Sequence, residues 1–577
     1  MGTVEWLFTV AAVSMLGWCT ARFKKHQLTF DRFTGGHSTS WLILGCSAAV
    51  TSISSDTPLL ISGAFYHGGI SENWFWLISA PGSLATLFFF ARLWRRSGVT
   101  TSAEIISLRY GQQAPARVYR KINAFIDAGI INVLVLASVT YSFVILLQFV
   151  IDRAALNLPL SSYQLAVLCT ALIMVGVIFY TLMSGFKAVV QTDMLQFVVV
   201  LFVSFLLCGI AVINASAEHG GWLSLMDKIP DKDARFSLGQ PDNLSFWLLL
   251  LFGWWYSVPG DGLFVQRLVS AKSEKDAFLT SLTFIGIHYV LRVWPWFLLG
   301  AIALVYFPGA ENSESVYFPM ATQFFPGGGL LLLLFAFVAS FMSTLDSRLN
   351  WGASYFVHDI FPPRQPDAGP KNALIERSAV ILLALLAFLI ATANTSVSII
   401  GIYKYILIIQ AGTAVAAIAR WYWWKMTIYA EIAAIVISVT LGNLLYFSVD
   451  NSNGEMFAII LSSNIVVTGL LTLLVSHYTA GKQANSVTQA FQNKVQVSGI
   501  GWRLTDEPMP SPAAQVPFVM LVKLWLASIM LIYSLLAFIG ACFSLHGYQL
   551  AVSLACLCCS LGYLRYHKTQ LARIAFD

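Results

Sequence analysis

The sequence predicts an all-α polytopic membrane protein: a ten-helix core made of a five-plus-five inverted repeat, with one leading helix and about four trailing ones. Three observations predict it. Of 577 residues, 57% are hydrophobic and 11% charged, against about 25% charged in a soluble domain, so a water-exposed globule of this make-up would lack the polar surface to stay dissolved. Apolar stretches of about 20 residues, each long enough to cross a hydrocarbon core as a helix, recur from end to end. Two of these stretches, five apart, are interrupted by Pro and Asp, and broken backbone at membrane depth survives only where protein or a water-filled cavity satisfies its N–H and C=O groups.

Taken in order, the apolar windows fall at 4–20, 41–66, 74–92, 123–151, 163–184, 188–214, 244–267, 277–306, 328–350, 378–395, 398–424, 427–448, 456–477, 517–543 and 547–565, fifteen in all. The first has Glu5, no Lys or Arg ahead of it and no small-residue cleavage site, and Arg22, Lys24, Lys25 and Arg32 follow it. It reads as a retained helix with its N-terminus outside rather than a signal peptide. Threading the windows from that start puts 27 of the 34 Lys and Arg residues in cytoplasmic loops, among them the segments 267–275, 348–377 and 420–425, and four in outer loops. That imbalance is the positive-inside signature, and it puts the C-terminus in the cytoplasm.

The rest of the chain excludes other classes. The longest cytoplasmic segment, 478–516, contains "DEPMPSP" and reads as a loop, not a catalytic module. The eight cysteines lie inside apolar windows without CxxC spacing, and the nine histidines show no HExxH pairing, so packing, not metal chemistry, is expected of them. No kinase, nucleotide-binding or nuclease signature is present. The expectation is a non-enzyme whose partners are membrane lipid and a small-molecule solute, without nucleic acid.

The interruptions carry the functional argument. The second window breaks at Ser54-Ser55-Asp56-Thr57-Pro58 and the seventh at Pro259-Gly260-Asp261-Gly262, just after Trp254-Trp255-Tyr256. Five windows apart, they run in opposite directions through the membrane, the pattern of inverted-repeat secondary transporters whose halves each begin with a discontinuous helix. Either these are true breaks, or Pro58 and Pro259 only kink packed helices; an Asp in each, costly in hydrocarbon, favours the break. The expected divisions are 1–40 (leading helix and loop), 41–216 (first repeat), 217–426 (second repeat) and 427–577 (trailing helices and tail).

In the ninth window Ser340, Ser343, Thr344 and Ser347 stand at i, i+3, i+4 and i+7, which stacks four hydroxyls on one helix face. Opposite an unwound helix, such a stripe supplies the uncharged oxygens that replace the hydration shell of a hard cation such as sodium. Hydroxyls are also ordinary glue between membrane helices, but Asp346 and Arg348 beside the stripe point to more.

"SSDTPLL", "GGISENWFW", "GFKAVVQTDMLQF", "VQRLVSAKSEKDA", "LRVWPWFLLGAIAL" and above all "FMSTLDSRLNWGASYFVHDIF" resemble the sodium:solute symporter family, over residues 1 to about 505. The likeness is to a bacterial branch distinct from the sugar and proline carriers. It implies the inverted-repeat fold, a bacterial inner (plasma) membrane location, function as a monomer and sodium as the transported ion. Carried over by position, the sodium site uses backbone carbonyls of Ser54, Thr57 and Ser340 with the hydroxyls of Ser343 and Thr344. A second cation site found in some members falls on Asp193, with Ser343, Asp346 and Ser347. A small hydroxyl residue is more usual where Asp346 stands; the extra carboxylate either strengthens that site or holds a proton, unless Arg348 neutralises it.

If the repeat holds, solute binds near the midplane beside both breaks. The candidates are Ser55, Asp56, Trp254, Tyr256, Asp261, Gln266 and Arg292, with Asp127, Asn132 and Lys404 as further contributors. Arg292 sits mid-window, where a guanidinium needs a partner; it either anchors the carboxylate of an organic acid or pairs structurally with Asp56 or Asp261. The expected function is sodium-coupled secondary active symport of a small polar organic solute into the cell, each cation that crosses about 100 mV releasing about 2.3 kcal/mol. The competing reading is a transporter-like solute sensor that signals to a separate partner.

Overall fold

A computed structural model describes residues 33–154, 159–239, 243–310, 316–362, 369–393, 399–449, 454–482, 485–497, 501–502 and 516–576; the window at 4–20 lies outside them. Among the described residues, ten helices are each long and apolar enough to cross a membrane, and three further pairs reach that length jointly across bends of 40° to 53°. The second window is two helices, α1 (Trp41–Thr51) and α2 (Thr57–Gly68). The first repeat continues through two helical segments, Ile70–Leu77 and Ala80–Ser97, bent by 40° and with a π turn at Thr86–Phe90, then α3 (Asn132–Ala154), α4 (Ser162–Met183) and α5 (Phe186–Glu218). The seventh window opens with a short helix at Leu244–Leu248 and resumes past its break as α6 (Gly262–Val269). There follow α7 (Glu274–Ile285), α8 (Trp294–Tyr306), α9 (Gly328–Tyr355), α10 (Gly369–Ala393) and α11 (Ile399–Ala411). Two helical hairpins trail, α12 (Ile428–Ser448) with α13 (Gly454–Thr479), and α14 (Phe518–Ser544) with α15 (Gly547–Tyr566).

Every window from 41 onward therefore meets a helix or a broken pair. The ends differ most where a polar turn prolongs a helix past its apolar stretch: the amphipathic helix Ala114–Ala124 runs into the fourth span, and α10 begins at Gly369. Hydropathy measures the hydrocarbon crossing, and the backbone ladder continues beyond it. Large apolar side chains such as Leu172, Phe179, Phe202 and Ile213 are exposed on the outside of α4 and α5, as befits helices whose solvent is lipid.

Polar residues concentrate inside. Helix α1 packs against α5, α7 and α9, and the face it turns to them is almost wholly buried. Helix α8 approaches α2 so closely that a Cβ on Gly300 would stand 2.5 Å from the Ser62 carbonyl oxygen. The hairpin α14–α15 is pinned to the first repeat by Trp525, whose indole donates to the Pro81 carbonyl at 2.8 Å, and by Tyr533, whose hydroxyl donates to Leu77 at 3.0 Å.

Candidate functional site

The first break follows from its residues. Pro58, in the first turn of α2, has no N–H with which to continue the helix that ends at Thr51, and the loosened backbone finds partners elsewhere. The Thr51 carbonyl accepts the Thr344 hydroxyl at 3.3 Å, the Ile53 carbonyl accepts the Ser340 hydroxyl, and the Ser52 carbonyl accepts Nη1 of Arg292 at 2.5 Å. The Ser54 carbonyl is taken by the Thr57 amide at 3.1 Å. Asp56, fully buried, accepts from the Ser54 hydroxyl and, at 3.0 Å, from Tyr403 on α11. The carbonyls that meet the hydroxyl face are thus those of Thr51 and Ile53, not those of Ser54 and Thr57 that the resemblance assigned.

The four-hydroxyl stripe on α9 divides into two rows. Ser340 and Thr344, at i and i+4, face the break. Ser343 and Ser347, the parallel row, face α5, where their hydroxyls donate to the Asp193 carboxylate at 2.5 and 3.4 Å, joined by Ser47 from α1 at 2.6 Å. Asp193, Ser343 and Ser347 therefore come together as the resemblance implied, and Ser343 belongs with them, not with the break. Asp346 makes no hydrogen bond to them: it is fully buried, and neither of its oxygens has a hydrogen-bond partner among the described residues. Arg348 forms no ion pair among the described residues; its guanidinium donates to Asn132 at 3.5 Å.

What completes the Asp193 cluster is Arg267, which the loop assignment placed in the cytoplasm. It is 1% exposed, on α6 just past the second break, with Nη2 3.7 Å from the Asp193 carboxylate. The seventh window ended at residue 267, so its last residue read as a loop cation. The helix in fact runs on to Val269 and carries the side chain inward.

The second break has its own mechanics. Gly260 adopts φ +111°, a region closed to ordinary side chains, and Asp261 accepts the Phe264 amide at 2.6 Å to cap α6. A cavity of about 470 Å³ lies between the two breaks and is lined by Asp56, Tyr256, Asp261 and Arg292 among the solute candidates, and by Asp127. The other candidates are engaged elsewhere. Ser55 donates to the Val139 carbonyl at 2.9 Å, Trp254 packs on Trp255 and Trp525, and the Gln266 amide bridges the Phe33 carbonyl and Arg267. Asn132 donates to the Arg348 carbonyl, and Lys404 lies over the Phe457 ring.

Arg292, 3% exposed, forms no ion pair with Asp56 or Asp261 among the described residues. Its Nε donates to the His288 carbonyl at 3.1 Å, Nη1 reaches Ser52, and Nη2 lies 3.1 Å from His288 Nε2. The structural-pair alternative is therefore not what holds it. Sequence reasoning missed Trp76, His288, Tyr289 and Tyr403, which also line the cavity. The signal available for two of them is position: His288 and Tyr289 sit in a π turn, Gly286–Leu291, just before Arg292, and such turns gather at functional sites.

The family model for sodium:solute symporters matches residues 32–437. The chain belongs to the sodium:solute symporter family. This family member is 25% identical to the sodium/glucose cotransporter of Vibrio parahaemolyticus, over 76% of this chain and 83% of the relative. It is also 25% identical to the sodium/pantothenate symporter of Haemophilus influenzae, over 72% and 84%. Among solved structures, a Na+-coupled sialic acid symporter in a substrate-bound outward-open state matches with a TM-score of 0.66 at 17% identity, covering 84% of this symporter-family chain and 98% of that one. A nucleobase-cation-symport-1 transporter in a closed conformation matches at 0.50 and 12%, covering 80% and 97%. At these identities the structural likeness establishes the fold: the inverted-repeat core of an integral membrane transporter.

Proposed function

We propose that this protein carries a small polar organic solute bearing a carboxylate into the cell, driven by sodium, as a monomer in a bacterial plasma membrane with its C-terminus in the cytoplasm and its two repeats at 41–216 and 217–426. One observation carries the reading: a buried, unwound stretch whose Thr51 and Ile53 carbonyls meet the Ser340 and Thr344 hydroxyls of α9. Four uncharged oxygens in two neighbouring buried hydroxyl–carbonyl pairs suit sodium, a hard cation that takes several oxygen ligands. Each hydroxyl now donates to a carbonyl. With sodium among them the protons turn away, and both kinds of oxygen become ligands.

Coupling follows from what else holds the same stretch. The Ser52 carbonyl is bound by Arg292 and Asp56 by Tyr403, and all four residues line the cavity. An ion that fixes the backbone at residues 51–53 thereby fixes the orientation of the two charged groups that a solute would meet. What supports a carboxylate is Arg292 itself, a guanidinium at the cavity with a planar fork and no ion pair to an acidic side chain among the described residues.

The test is uptake into proteoliposomes holding the purified protein, screened with labelled organic acids, amino acids and sugars. Accumulation of an acid with external sodium, collapsing to background with choline in its place, is expected. Equal uptake with choline rejects sodium as the driver.

A further inference from the structure

We propose that Arg267 is a tethered cation that fills the second cation position at Asp193, so that this protein binds one sodium ion rather than two. The inference rests on the sodium site proposed above and extends it to the number of ions.

The geometry is that of an occupied site. Asp193 receives three hydroxyls, from Ser47, Ser343 and Ser347, the oxygen-rich setting a monovalent cation would need. Arg267 is already there. Its Nη2 donates to Ser347 at 2.7 Å, to Ser47 at 3.3 Å and to the Thr51 hydroxyl at 3.4 Å, and lies 3.7 Å from the carboxylate. Nη1 is held by the Leu263 carbonyl at 3.3 Å and the Gln266 side chain at 3.1 Å, and the Phe186 ring covers the guanidinium at 5.4 Å. Two of the three hydroxyls that a free ion would coordinate, those of Ser47 and Ser347, are engaged by a fixed one.

A buried carboxylate without a counter-charge is strongly destabilising unless it takes a proton, so an ionised Asp193 needs a cation beside it. A diffusible ion supplies it only while bound. A guanidinium supplies it permanently, because arginine keeps its proton under all physiological conditions. Arg267 stands on α6, directly after the second break, and its contact with Thr51 ties that helix to the end of α1, whose carbonyl faces the sodium position. One carboxyl remains over: Asp346, buried and without a side-chain donor. Remove the guanidinium, and the Asp193 carboxylate with the hydroxyls of Ser47, Ser343 and Ser347 is left beside its place, a charged, oxygen-rich setting for a free cation.

The consequence is thermodynamic. With one coupled ion, the solute gradient this protein can sustain scales with the first power of the sodium gradient, not with its square.

The experiment counts bound 22Na+ on purified full-length protein, with no solute present, in the wild type, Arg267→Ala and Arg267→Lys. One ion per chain is expected for the wild type and for Arg267→Lys, which keeps a tethered charge, and two for Arg267→Ala. Two ions on the wild type, or one on a folded Arg267→Ala, overturns the proposal. Should Arg267→Ala fail to fold, the wild-type and lysine counts still decide: one on each supports the proposal, and two on either overturns it. Failure of the sodium site itself reads differently, as no ion on the wild type, and the tethered-cation inference then survives only if Arg267→Ala binds one.

Discussion

Removing the hydroxyls that face the break separates the sodium site proposed here from the one that position alone assigned. Ser340→Ala and Thr344→Val each delete one oxygen that meets a freed carbonyl, while Ser343→Ala deletes one whose hydroxyl donates to Asp193. In the ion-free state each of the first two substitutions loses a neutral hydrogen bond, of order 0.5–1.5 kcal/mol; with sodium bound it loses an oxygen on a full charge, of order 1.5–3 kcal/mol. The difference, about 1–1.5 kcal/mol, weakens sodium binding about 5- to 10-fold per residue, since about 1.4 kcal/mol is tenfold. Ser343→Ala, in the other row, shifts it less than about twofold, as independent sites do. The assay is the sodium concentration for half-maximal thermal stabilisation of the purified protein, which also reports folding. A large shift for Ser343→Ala with Ser340→Ala and Thr344→Val unchanged refutes the reasoning, because sodium would then sit on the Asp193 side of the helix.

Three further outcomes follow from single contacts. Arg292→Lys keeps the charge but loses the fork that reaches Ser52 and His288; half-saturation for a transported acid, measured by uptake competition, rises about tenfold, the scale of one charge-assisted bond, and an unchanged value removes the carboxylate reading. Tyr403→Phe deletes the 3.0 Å bond to Asp56 and lowers sodium affinity about 3- to 10-fold, checked by the same thermal titration, with no shift showing that Ser54 and Thr57 suffice to orient Asp56. Gly300→Ala puts a Cβ 2.5 Å from the Ser62 carbonyl and lowers stability by about 1–3 kcal/mol through overpacking; a melting temperature equal to wild type shows that α2 and α8 yield without strain.

How much of this was legible depended on whether the determining physics is local. The spans from residue 41 onward were, because the length of hydrocarbon to be crossed sets the length of the apolar window. So was the first break, since Pro58 and Asp56 announce in five residues a backbone that cannot continue and a charge that lipid rejects. The hydroxyl stripe was half legible. Spacing put Ser340, Ser343, Thr344 and Ser347 on one side of α9, but two rows on one side of a helix can address two different neighbours, and only tertiary packing decides which. Arg267 and Arg292 were the least legible. Asp193 sits on α5, the Ser52 carbonyl on the first broken helix, and nothing in the local pattern names either partner. The same limit explains Gln266 and Ser55, polar residues beside the breaks whose side chains satisfy distant backbone instead of facing the cavity.

The placement of charge also yields the last prediction, that sodium and solute help each other bind. Asp56 stands in the unwound stretch three and five residues past the Ile53 and Thr51 carbonyls proposed for sodium, and Arg292 holds the Ser52 carbonyl that lies between those two. A cation entering alone adds charge beside a buried guanidinium; an anion entering alone adds charge beside a buried carboxylate. In a poorly solvated interior each is opposed at short range. Sodium and a carboxylate entering together add no net charge, and each is placed next to the protein group of opposite sign. The coupling is therefore electrostatic as well as conformational, and by linkage it is reciprocal: saturating sodium raises the affinity for the acid by the same factor as saturating acid raises the affinity for sodium. Typical couplings of 1–3 kcal/mol correspond to about 5- to 150-fold. Equilibrium binding of a transported acid at low and high sodium, and of 22Na+ with and without the acid, measures both factors. Equal factors in that range fit this arrangement, whereas sodium affinity indifferent to the acid shows that the two ligands do not share the field between Asp56 and Arg292.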